Sequence, residues 1–139
     1  MADEQVNTSG HDVDPELAER YRDHAEQRGY HFSSFEWLAA HDPEFEKVRL
    51  GMVDMTYLRK NSAVPAKYKE LLAAAILAYR GYNSTGKHLK RALQEGASVR
   101  EVLEVLELAA IPGGMPTLHF GMDELVELWR KEPELFKDK

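Results

Sequence analysis

The sequence predicts an all-α protein, a bundle of about six to seven helices. Three observations predict it. Apolar residues recur at helical spacing through most of the 139 residues. Helix-start signatures stand in front of those stretches: Asp14-Pro15, Asp42-Pro43, and Ser98 with Glu101. No run of alternating apolar and polar residues is bounded by hairpin turns, so strands are not expected.

The elements follow in order. Residues 1–13, with Asn7, Ser9 and Gly10, lack periodicity and read as a mobile tail. Residues 14–139 read as one helical domain. The first helix starts on the Asp14 cap with Pro15 at its first position and runs to Gly29. Ser33 with Glu36 forms an expected capping box for a short helix through Phe35, Trp37 and Leu38, stopping near His41. Asp42-Pro43 launches a third helix with Phe45, Val48, Met52, Met55 and Tyr57 or Leu58 along one stripe, ending around Lys60-Asn61. Pro65 opens the fourth, which is apolar on every side from Leu71 to Tyr79 and therefore must be covered all round. So short a chain has too little material for that, and a second subunit is expected to supply the rest. Arg80 to Gly86, with two glycines, is a turn. Lys87 to Gln94 resumes the helical period and stops at Gly96. Ser98 and Glu101 box the next helix, whose Val102, Leu103, Val105, Leu106 and Ala109 face the core until Pro112-Gly113-Gly114 ends it. The last helix, Pro116 to Lys131, carries Leu118, Met122, Leu125, Val126 and Trp129.

Composition removes whole classes of function. Lys and Arg number 18 against 24 Asp and Glu, a net charge of −6, so the chain lacks the cationic surface that grips nucleic acid. The longest uncharged apolar run, Leu71 to Tyr79, is short of the roughly 18 residues that span a bilayer. The polar, acidic start is unlike a signal peptide, and the expected place is the cytoplasm. With no cysteine, self-contained thiol peroxidase, disulfide-exchange and cysteine-ligated metal chemistry is excluded. No His-x-x-x-His or clustered His/Asp set suggests a metal site, and the glycines fit no phosphate-loop or dinucleotide pattern.

The candidate residues each carry two readings. His88 follows the glycine-bearing turn, with Arg91 one helical turn on. It is either a base or hydrogen-bonding group for an acid, or a junction histidine bonded to a helix end. Glu70, in the second turn of the apolar helix, is either a dipole partner or a carboxyl raised in pKa by desolvation. His119 either reaches a pocket at the Gly-Gly-Met-Pro-Thr bend or is a core histidine satisfied by a carbonyl. Lys87, Lys90 and Arg91 are either a solvated face or a carboxylate-binding rim. His11, His24, His31 and His41 read as exposed or capping and receive no function.

The block Val64-Pro65-Ala66-Lys67-Tyr68-Lys69-Glu70-Leu71-Leu72, the alanine-rich helix, His88-Leu89-Lys90-Arg91-Ala92-Leu93 and Gly96-Ala97-Ser98-Val99-Arg100-Glu101-Val102-Leu103-Glu104-Val105-Leu106, taken in order, resemble the carboxymuconolactone decarboxylase family. The resemblance covers about residues 42 to 130. It implies an alkylhydroperoxidase-like helical bundle assembled as a homo-oligomer of three or six subunits. In the peroxidase branch two cysteines precede the histidine; here those places hold Gly81 and Ser84. The implied reaction is cofactor-independent decarboxylation of a small anionic lactone or ring-cleavage acid. It would use His88 as proton donor or enolate partner, Glu70 to orient or protonate it, and Arg91 or Arg80 to hold the substrate carboxylate. Tyr82 and His119 join the expected substrate-binding set. The alternatives are a non-catalytic oligomeric small-molecule binder of the same fold and a double-bond isomerase.

Overall fold

The structure, a computed structural model, describes residue 10 and residues 12–139; most of the tail expected over 1–13, with His11, lies outside the described residues. The described residues contain seven α-helices: α1 (Pro15–Arg28), α2 (Ser34–His41), α3 (Pro43–Met55), α4 (Ala66–Tyr79), α5 (Thr85–Gln94), α6 (Val99–Gly113) and α7 (Met115–Lys131). A short 3-10 turn, Pro133–Phe136, follows. No strand occurs among them, and no helix there is long and apolar enough to cross a membrane. Contacts divide the chain into two compact units between Ser62 and Ala63.

In the first unit, α1 and α3 begin as their sequences dictate. The Asp14 carboxylate accepts the Glu16 amide at 2.9 Å and the Asp42 carboxylate accepts the Phe45 amide at 3.1 Å, each satisfying a donor the helix cannot pair internally. Gly29, at φ 76°, closes α1 in the left-handed conformation that glycine adopts without steric cost. The capping box expected at Ser33 and Glu36 does not form. Ser33 is itself helical and makes no side-chain cap, while Glu36 is fully buried and bonded to His31 Nε2 at 2.9 Å. His31, five residues earlier, has taken the carboxylate that the cap needed. α3 also stops at Met55, short of the expected Lys60-Asn61. Thr56 leaves helical geometry at φ −120°, ψ −84°, and its hydroxyl donates back to the Met52 carbonyl at 2.7 Å.

The stripe Phe45, Val48, Met52 and Met55 does form on α3, but it is exposed. The buried face of the helix is Glu46 and Leu50. The core of this unit is Leu17, Tyr21, Ala39 and Leu50, with Val13 and Phe35 against it.

The second unit packs α4, α5, α6 and α7 around Leu71, Ala74, Ala78, Leu89, Ala92, Leu93, Val102, Leu106, Leu125 and Leu128. Both halves of the Ser98/Glu101 capping box are present. α6 and α7 approach closely because residue 121 is glycine: a β-carbon there would stand 2.6 Å from a methyl of Leu106. α4 buries Leu71, Ala73, Ala74 and Ala78 and leaves Leu72, Ile76 and Tyr79 exposed. Beside that exposed face lies an open groove of about 880 Å³ between α4 and α6, floored by Tyr68, Leu72, Val105, Leu108 and Ile111.

Candidate functional site

α5 has one buried face, formed by Thr85, His88, Leu89, Ala92 and Leu93. α4 turns Glu70, Ala73, Ala74 and Ala78 inward. Since α4 packs on α5, the two polar members of these faces meet: His88 Nδ1 lies 2.6 Å from Glu70 Oε2, and the side chains are 7% and 5% exposed. A buried histidine and a buried carboxylate each lose hydration, and pairing is what makes both tolerable. The pairing also fixes chemistry. With Nδ1 held by the carboxylate, the orientation of the ring is set by α4.

The start of α5 is held from outside the helix. The Gly86 amide donates to Glu124 Oε2 of α7 at 3.0 Å. Partial burial at Lys87 disfavours its charged form and lowers the ammonium pKa. Arg91, one turn beyond His88, pairs with Glu95 on the same helix and reaches Gln94 Oε1 at 3.4 Å.

Of the residues expected in the site, the structure thus brings Glu70 and His88 into contact. Arg80 is exposed at the C-terminal end of α4, and Tyr82, 55% exposed, follows it. His119 is an exposed residue of α7, where the sequence suggested a pocket or a core position. Three other histidines are now placed. His41 Nδ1 bonds the Trp37 carbonyl at 2.8 Å, the capping role expected of it. His24 and His31 are not exposed as expected: His24 pairs with Asp54 at 2.7 Å, and His31, with a 6% exposed side chain, pairs with Glu36. Burial lowers the His24 pKa, opposed by the Asp54 carboxylate.

One residue at the start of α5 was not singled out from sequence. Glu124 matters only because α7 brings it to α5, and no local pattern signals that.

Residues 43–126 match the family model described as the carboxymuconolactone decarboxylase family, more than half of the chain. This chain belongs to that family. The matched segment begins at the first residue of α3 and ends within α7, so it contains both Glu70 and His88. Residues 15–42, which form α1 and α2, precede the family segment. No curated protein and no solved structure is matched.

Proposed function

We propose that this member of the carboxymuconolactone decarboxylase family is a cofactor-independent carboxy-lyase. Its substrate is an unsaturated lactone acid or ring-cleavage acid of the kind formed when aromatic compounds are broken down. The observation that supports this reading is the buried His88–Glu70 pair at 2.6 Å. Loss of carbon dioxide leaves an electron pair that spreads through the unsaturated ring to the lactone carbonyl as an enolate. The protein then has to stabilise that charge and return a proton to carbon. His88 does both through Nε2–H when its ring is protonated, Glu70 holds the ring in place, and water restores the proton. Arg91 or Arg80 takes the substrate carboxylate, with Tyr82 and His119 as further binding groups. Thiol peroxidase chemistry has no nucleophile here, because the chain has no cysteine.

The test uses purified protein and carboxymuconolactone. Carbon dioxide is released, and Glu70→Gln lowers kcat by about 10²-fold by removing the charge that steadies the imidazolium. Absence of turnover by the native protein overturns the reading.

The exposed apolar face of α4 and the adjoining groove favour a second property, assembly with further copies into a trimer or hexamer. Native mass spectrometry reads this directly. A monomer at every concentration removes it. A ligand-stabilised oligomer without turnover points instead to the non-catalytic binder, in which an acid raises the melting temperature and is not consumed.

A further inference from the structure

Each unit leaves an apolar surface uncovered, and the two have opposite shapes. On α3 the surface is a ridge: Phe45, Val48, Met52 and Met55 stand at i, i+3, i+7 and i+10, each more than half exposed. That is the spacing with which one helix anchors in the groove of another. The groove between α4 and α6 is a receptor of that kind, with Leu72, Leu108 and Ile111 exposed along it. The lengths agree. At the rise of an α-helix the ridge from Phe45 to Met55 is about 15 Å long, and the α6 wall of the groove, from Glu101 to Pro112, about 16 Å. Two methionines on the ridge suit a surface that adapts to another chain.

Charge sets the direction. The acids of the α6 wall, Glu101, Glu104 and Glu107, run from its start to its middle, and from Leu108 to Pro112 the wall carries no charge. Glu101 and Glu104 have cations of their own in Lys67 and Arg100, while Glu107 forms no ion pair among the described residues. Just past the C-terminal end of α3 stand Arg59 and Lys60, exposed and likewise without an ion pair among the described residues. At the other end Glu44 is matched by Lys47 at 3.3 Å. An antiparallel arrangement therefore brings the unmatched cations to the acidic half of the groove and the balanced end to its uncharged half. It also sets the two helix dipoles against each other.

We propose that α3 of one copy lies in the α4–α6 groove of the next, antiparallel to α6. Centring ridge on groove in that direction sets Phe45 against Ile111, Val48 against Leu108 and Met52 against Val105. The occupant is a second copy because every chain brings one ridge and one groove, equal in number and matched in length. Unlike surfaces joined in this way make a head-to-tail contact, which closes into a ring when it is repeated about an axis. The proposal rests on the reading that further copies cover the exposed face of α4, and it names the segment that does so.

The absence of native cysteine permits a direct test. The double variant Phe45→Cys with Ile111→Cys is oxidised at a concentration where native mass spectrometry shows the assembly, then run unreduced on a denaturing gel. The expected result is a ladder of disulfide-linked chains up to the size of the ring, because facing positions satisfy the roughly 4.4–6.8 Å between α-carbons that a disulfide needs. Each single variant stays unlinked, and the two single variants co-expressed give a linked dimer. Met55→Cys with Ile111→Cys, which reports the parallel direction, does not link. All three positions are more than half exposed, so the fold does not depend on them. A disulfide confined to one chain, self-linking single variants, or a link through Met55→Cys overturns the proposal. An assembly that persists with no link through Phe45→Cys also overturns it and leaves the oligomer standing, whereas monomers at every concentration remove both.

Discussion

In His88→Ala, kcat for carbon dioxide release is expected to fall by about 10³-fold or more, the loss that follows removal of a positioned acid or base. Alanine alone is an ambiguous variant. It leaves a hole in a buried face of α5 and takes from Glu70 the imidazole that lies 2.6 Å away, so lost activity could reflect a loosened fold. His88→Asn separates the two effects. An asparagine amide can still donate to the Glu70 carboxylate but has no nitrogen that titrates. The expected result is equal inactivity in both variants, with the melting temperature of His88→Asn within a few degrees of the native value. Substantial turnover in His88→Asn would falsify the assignment of proton transfer to this ring, because an amide cannot carry the proton.

The second large effect concerns stability and lies in the first unit. Arg49 donates from Nε and Nη2 to the two carboxylate oxygens of Glu46 at 2.6 Å each, and its guanidinium carbon lies 3.6 Å from the centroid of the Phe35 ring. Glu46 is fully buried and accepts the Tyr21 hydroxyl at 2.7 Å. Removing the cation strands a carboxylate away from water, so Arg49→Ala is expected to cost about 3–5 kcal/mol. Hydrogen exchange of the α1 and α3 amides in the whole chain measures it. The double variant Glu46→Leu with Arg49→Met is expected to lose much less, since it removes both charges together and leaves Tyr21 the Phe35 carbonyl at 2.9 Å. If the double variant is as damaged as the single one, stranded charge is not the cause.

Tyr21 adds a pH dependence to the same cluster. Burial first, then the hydrogen bond to Glu46 and its charge, raise the pKa of this phenol. A raised folded pKa means that the unfolded chain gives up the proton earlier. The contribution of Tyr21 is therefore complete below about pH 10 and is lost as the solution becomes more alkaline.

The site divides along the same line as the fold. Glu70 was legible as a candidate because it is a carboxylate on an otherwise apolar helix, and His88 because it follows the glycine-bearing turn with Arg91 one helical turn on. Their pairing was not, since residues 18 positions apart meet only if α4 and α5 turn the right faces to each other. The expectation for Glu36 failed for a related reason. The spacing from Ser33 satisfied a local rule, and His31 offered the carboxylate a partner in the interior instead. Glu124 shows the converse: nothing local marks it, and α7 brings it to the Gly86 amide at the start of α5.

The sequence by itself determined that this protein is helical, where most of its helices begin, and that thiol chemistry is closed to it. Those properties depend on neighbours within a turn or two: Asp14 and Asp42 cap the amides just beyond them, and Ser98 and Glu101 box one another wherever α6 lies. Only the tertiary structure decided which polar groups were buried together. That outcome is set by the rotation of each helix about its axis and by the side chains opposite. Such geometry made Glu70 the partner of His88 and Glu46 the partner of Tyr21.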